Sequence, residues 1–329
     1  LYKDSELFEN VVPDVSMSTV ALPNDPLIPN SWTFNNIDAS SAWDITTGDT
    51  NIIVAIVDTG VDGYHEDLIN NMYWFTNGYF GFQSYNGEPA VYGGTDDNGH
   101  GTHVAGTIGA TGNNSIGIVG VNWNVKLMAF KFINSTGSGN MAGAVSCYDK
   151  IISLKKQGFN IRVINNSWGG FGFYQPLEDI FAAAANNDIL SVCAAGNSAL
   201  DTDLNFFSPA CMTNKGIISV QASDANSVLA YFSNRGLYST DIKAPGVNIL
   251  STLTTNLSIP RSSTNGYGIL SGTSMASPHI AGAAALVLSV NPNLNVFELR
   301  DMLLNSDSLD RVYGINTDST TLGGRLNLK

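Results

Sequence analysis

Five short apolar runs, at residues 51–57, 125–132, 161–165, 189–195 and 216–222, constrain this chain more than any other feature. Each is too uniformly apolar to be a half-exposed strand, so each reads as a strand buried on both faces. Longer segments with helical apolar spacing fall between or after them, at 141–157, 176–187, 275–290 and 296–305. Strand–helix alternation predicts an α/β fold: a three-layer, doubly wound, mostly parallel sheet flanked by helices. Ligands bind such sheets beyond the carboxyl ends of the strands. Asp58 and Asn197 each fall just after one of the apolar runs.

Bulk properties narrow the function classes. A chain of 329 residues can form one large domain or two small ones. A net charge of −13 argues against nucleic acid as a partner, which needs a basic surface. No uninterrupted apolar run reaches the roughly 18 residues of a membrane span, so no membrane association is expected. Three cysteines allow at most one internal disulfide. Cys193 and Cys211 can pair or stay apart, and Cys147, inside a helical pattern, reads as a small buried apolar group.

Chemistry concentrates in three blocks. Ser274 stands in Gly-Thr-Ser-Met-Ala-Ser-Pro-His, directly before an apolar helix, where free backbone N–H groups favour negative charge. A serine needs a base to attack at neutral pH. Asp-Asn-Gly-His-Gly-Thr-His, at residues 97–103, supplies His100 and His103. Three apart, these two also suit a metal site, but zinc needs a third ligand and the only other histidines are His65 and His279. Ile-Val-Asp-Thr-Gly-Val-Asp, at 56–62, supplies an acid to orient the base. Taken singly, Ser274 also reads as a helix cap, Asp58 as a strand-end carboxylate and Asn197 as a turn residue.

The order Asp, His, Ser is that of the subtilisins, and the chain resembles the subtilisin-like serine proteases, the subtilases. The blocks around Asp58 and His100, Ala-Ala-Gly-Asn at 194–197 and the block around Ser274 occur in family order. Asn-Asn-Ser-Trp-Gly-Gly at 165–170 and Thr-Gly-Asn-Asn-Ser-Ile-Gly-Ile-Val-Gly at 111–120 are also family-like, and Asn24-Asp25-Pro26 points to the thermitase-like branch. The resemblance runs from about residue 24 to the end and implies a catalytic domain over 24–329. It implies Ser274 as nucleophile, His100 as general base, Asp58 as its orienting acid and Asn197 as an oxyanion donor. His103 is then a buried structural histidine.

The same resemblance places substrate. A peptide would add as a strand between Gly137-Ser138-Gly139 and Ser167-Trp168-Gly169. Trp168 stands where the family usually has leucine, facing Met141 in the fourth pocket, and implies apolar or aromatic preference there. Ala194, Ala195, Gly196 and the loop holding Phe207 would wall the first pocket, with Pro209 at the position of a family cis-proline. Phe207 departs from the small or polar residue expected. Calcium is the implied cofactor, held by Asp25 and Asp67, by the Asn114 side chain and by the carbonyls of Gly112, Ile116 and Ile118. Asp96 and Asp97 suit either a second site or solvent.

Residues 1–23 resemble the junction to an inhibitory propeptide, cleaved in this family. With no signal peptide at the N-terminus, the chain reads as a mature or trimmed form. A secreted, monomeric endopeptidase of broad or apolar-leaning selectivity is therefore expected, with peptide or protein substrates. A narrow processing protease and a catalytically silent docking module are the alternatives. The aromatic-rich insertion at 72–92 either serves the former or decorates the surface. The acid-active serine-carboxyl peptidases would use glutamate as base, whereas this chain carries His-Gly-Thr-His.

Overall fold

The computed structural model describes residues 22–256, 258–304, 309–310 and 324–328. The junction-like segment therefore lies almost wholly outside the described residues. The core of the sheet is five parallel strands: β1 (Gly48–Asp58), β4 (Asn124–Lys131), β5 (Ile161–Asn166), β7 (Leu190–Ala194) and β9 (Ile217–Ser223). These match the five apolar runs to within a few residues. β2 (Gly81–Gln83) and β3 (Val91–Tyr92) extend one edge, and β10 (Ile242–Pro245), β14 (Arg325–Leu326) and β13 (Leu309–Asp310) the other. The order is β13-β14-β10-β9-β7-β5-β1-β4-β2-β3, antiparallel only at the two outermost pairs. The order reverses at β1, the switch point where such sheets open a crevice.

Side chains of β1 alternate between two cores. Ile52, Val54 and Ile56 join one cluster, and Ile53, Ala55 and Val57 the other. That two-sided burial explains why the strand reads as a continuous apolar run. One face is covered by α3 (His100–Gly109), α6 (Thr273–Val290) and α7 (Val296–Leu304). The other is covered by α4 (Met141–Lys156) and α5 (Gln175–Asn186). Burial of a side chain such as Ile56 contributes about 1.5–3 kcal/mol. Two short helices, α1 (Thr33–Asn36) and α2 (Ala39–Trp43), precede β1. The small pairs β6 (Gly170–Phe171) with β8 (Phe207–Ser208), and β11 (Ile249–Thr252) with β12 (Tyr267–Leu270), lie outside the main sheet.

The structure bears on three further readings. Helix α6 has 18 residues with a mean hydropathy of 1.3, so by length and composition it is long enough to cross a membrane. It is 78% buried inside the protein, as the central helix of the larger core. All three cysteines are free and buried. The Cys211 thiol faces the Thr202 carbonyl at 3.9 Å rather than bonding to Cys193. The insertion at 72–92 is structural, because it supplies β2 and β3. Phe82 and Met72 are buried, and Phe82 stacks on Tyr92 with ring centroids 4.8 Å apart.

Candidate active site

Asp58 is the last residue of β1 and is fully buried. Its Oδ1 accepts from the Nδ1 of His100 at 2.7 Å and from the Thr59 N–H at 2.7 Å. Its buried Oδ2 has no hydrogen-bond partner among the described residues. His100 opens α3, and Gly101 explains how the helix comes so near β1: a Cβ there would collide with the Gly60 carbonyl. The imidazole is 16% exposed. Burial disfavours its protonated form, but the Asp58 charge and hydrogen bond more than offset that. The pKa of His100 is therefore raised above its ordinary value, with the Arg261 guanidinium opposing the rise.

Asp96 is neither solvated nor arranged for a second cation. It is buried, and its carboxylate accepts from the N–H groups of Asn98, Gly99 and Thr102 and from the hydroxyls of Thr59 and Thr102. It thus fixes the turn that delivers His100. Asp97 pairs with the buried Lys131 at 2.6 Å. His103 is buried, as expected, and its Nε2 bonds the carbonyls of Ile249 and Gly268. Burial pushes its pKa down to about 3, so it stays neutral.

Ser274 lies in the first turn of α6, which packs against α3. Asn197 follows β7, and its Oδ1 accepts from the Thr273 N–H at 2.8 Å and the Thr273 hydroxyl at 3.0 Å. That consumes the amide oxygen and leaves Nδ2 as the outward donor. A Cβ on Gly272 would sit 3.5 Å from Asn197 Nδ2 and 3.6 Å from the Ser274 backbone N. The two donors therefore converge on one small space. The Ser274 hydroxyl donates its single proton to the Ser167 carbonyl at 3.0 Å, not to His100. Ser167 is itself held, because its Oγ lies 2.8 Å from the Ser274 carbonyl and from the Ser277 hydroxyl.

The segments expected to flank substrate also gather here. Gly137 donates to the Asn134 carbonyl in an exposed turn that continues through Ser138 and Gly139 to α4. Trp168 packs edge-on against Phe132, ring centroids 4.9 Å apart, while Met141 reaches Gly170. Phe132 is thus the ring partner of Trp168, and Met141 packs against the same core cluster. Ala194 and Ala195 are buried at the end of β7, and Gly196 leads to Asn197. Phe207 lies against both Gly169 and Gly196. The Ser208–Pro209 bond is cis, in agreement with the family position.

Asp25 and Asp67 are buried together beside the 111–120 loop. Asp25 accepts from the N–H groups of Asn113 and Asn114, and Asp67 from Ile118 N–H and Asn114 Nδ2. Burial, reinforced by Asp25, pushes the Asp67 pKa up to about 6. Among the described residues, no cluster of three His, Cys, Asp or Glu could hold a metal. The arrangement here is instead two buried carboxylates facing the 111–120 loop, where Asn114 Oδ1, expected as a ligand, accepts from the Ile116 N–H. The other expected ligands, the carbonyls of Gly112, Ile116 and Ile118, accept no backbone hydrogen bond among the described residues. Two buried carboxylates and a loop with spare carbonyls are the donor chemistry of a hard cation with oxygen ligands.

Thr273 is the site residue that the sequence does not single out, and Asp96 reads there only as a cation ligand or solvated acid. Thr273 sits inside the Gly-Thr-Ser block, but only the fold shows its hydroxyl bridging Gly196 N–H and Asn197 Oδ1.

Comparison with known proteins agrees with this architecture. Residues 49–323 match the subtilase family, peptidase S8. Thermophilic serine proteinase of Bacillus sp. (strain AK1) is 35% identical over 327 residues, spanning 93% of this chain and 73% of that protein. Subtilisin DY of Bacillus licheniformis is 39% identical over 254 residues, spanning 77% and 82%. A solved structure from a study of proteases from Pseudoalteromonas arctica superposes with a TM-score of 0.78 at 27% identity, covering 94% of this chain and 98% of that one. The chain belongs to the subtilase family. Within it, the protein is a subtilisin-like serine endopeptidase.

Proposed function

We propose that this endopeptidase cleaves extended peptide segments of proteins through Asp58, His100 and Ser274, with Asn197 as oxyanion donor. The 2.7 Å bond from His100 Nδ1 to buried Asp58 carries the reading. It fixes the imidazole tautomer with the proton on Nδ1, leaving Nε2 as the base. Ser274 must turn from the Ser167 carbonyl to give its proton to Nε2 as Oγ attacks the substrate carbonyl. The oxygen then becomes anionic and accepts from Asn197 Nδ2 and the Ser274 N–H. His100 returns its proton to the leaving amine, which departs and leaves an acyl-Ser274 ester. Water, deprotonated by His100, hydrolyses that ester and restores the hydroxyl.

Peptide would lie between 137–139 and 167–169, and Trp168 favours apolar side chains four residues before the cut. Calcium would be held by Asp25, Asp67 and the 111–120 loop, where it supplies positive charge and rigidity rather than chemistry. Monomeric action, secretion and release from a cleaved propeptide complete the proposal. They are supported by the acidic charge and by the likeness of residues 1–23 to a propeptide junction. Active-site titration with a fluorophosphonate tests the core of it. Stoichiometric labelling at Ser274 supports catalysis, and no labelling of the folded chain supports the silent docking module instead.

A further inference from the structure

We infer that Phe207 fills the pocket for the side chain preceding the scissile bond, restricting that position to small residues. The inference rests on the proposed roles of Ser274 and Asn197.

The reacting carbonyl carbon must approach Ser274 Oγ while its oxygen meets Asn197 Nδ2. The side chain of the same residue branches one bond from that carbon. Two segments flank this position. Ser167, whose carbonyl holds the Ser274 hydroxyl, leads to Gly169, and Gly196 leads to Asn197. Neither glycine presents a side chain, so the space between them would suit a large group if it were open. It is closed by the Phe207 ring. Its Cζ lies 2.7 Å from where a Cβ on Gly169 would stand and 2.9 Å from where one on Gly196 would stand.

The ring is held there. Phe207 is 8% exposed, and Phe171 backs it edge-on with ring centroids 5.3 Å apart. Phe171 and Phe207 are paired residues of β6 and β8. That pair is locked by Gly172 N–H to the Phe206 carbonyl at 2.9 Å and by the Ser208 hydroxyl to the Gly172 carbonyl at 2.6 Å. An aromatic ring wedged between two bare backbones leaves room for a methyl or hydroxymethyl group, not for a second ring. Glycine, alanine and serine are the side chains that fit.

The test is kcat/KM on peptide p-nitroanilides identical except for alanine, leucine or phenylalanine before the anilide, for the wild type and Phe207→Ala, both titrated with a fluorophosphonate. The wild type is expected to favour alanine over phenylalanine at least tenfold, within the 10–200-fold that steric fit to a pocket supplies. Phe207→Ala should reverse that order. Equal or better cleavage after phenylalanine by the wild type overturns the inference, as does an unchanged profile in a fully titrating Phe207→Ala. Should that variant fail to fold, the wild-type profile decides alone. If the folded wild type takes no fluorophosphonate, the catalytic reading fails and this inference with it. Full labelling with a flat profile sinks the pocket inference only.

Discussion

Thr273 holds Asn197 by two hydrogen bonds to one atom: its N–H and its hydroxyl both donate to Asn197 Oδ1, at 2.8 and 3.0 Å. An amide held at its oxygen can present only its nitrogen to a developing oxyanion. In the proposed role of Asn197, the donor would thus be oriented before substrate arrives, which is what makes such a group effective.

Removing the Thr273 hydroxyl should therefore act on turnover. Thr273→Val is expected to lower kcat about tenfold, the equivalent of one hydrogen bond, with KM nearly unchanged. Asn197→Ala should cost about 10²–10³ in kcat, the range known for this donor in a subtilisin. The double variant should be little worse than Asn197→Ala, because Thr273 acts through Asn197. Additive losses would show that Thr273 works elsewhere.

The ascending limb of the pH–rate profile should report His100. Only the neutral imidazole can accept the Ser274 proton. Because Asp58 raises the His100 pKa, activity is expected to rise with pH through a value above 6.5. Arg261 opposes that rise, and its guanidinium is anchored on Asn98 Oδ1 at 2.6 Å. Arg261→Ala should move the limb to higher pH, most clearly at low salt. A limb that stays in place or moves down would contradict the assignment.

Chelation should cost stability. A ligand present at 100 times its Kd stabilises the folded state by about 2.7 kcal/mol. Removing calcium is expected to lower Tm by roughly 5 °C or more. Asp67→Asn should erase the difference between chelated and calcium-loaded samples. Identical melting of the wild type with and without chelator would remove the calcium reading.

The cysteines give an independent check. With Cys147, Cys193 and Cys211 all free, the denatured, unreduced protein should titrate three thiols, and reductant should leave Tm unmoved. One thiol would mean that a pair has formed.

The sheet was legible because its strands are buried on both faces and so leave continuous apolar runs, as at Ile52 to Val57. β2 and β3 were not, since two or three residues in an aromatic-rich stretch carry no period. The membrane-length apolarity of α6 was not legible because Ser274, Ser277 and His279 interrupt its composition, although Ser277 and His279 are buried with the rest of the helix. Asp58, His100, Ser274 and Asn197 were readable from motifs. The roles of Asp96 and Thr273 were not, because they depend on hydrogen bonds to Gly99, Thr102 and Asn197 that only folding brings within reach. Phe207 stood out as a departure, but that its ring sits against both Gly169 and Gly196 only the fold shows.

The most direct test of the central claim is casein cleavage and fluorophosphonate labelling of the wild type beside Ser274→Ala, both in calcium. Cleavage by the wild type, one label per chain located at Ser274, and loss of both in a variant with unchanged Tm are the predicted results. Retained cleavage in Ser274→Ala, or a label on any other residue, would contradict the account.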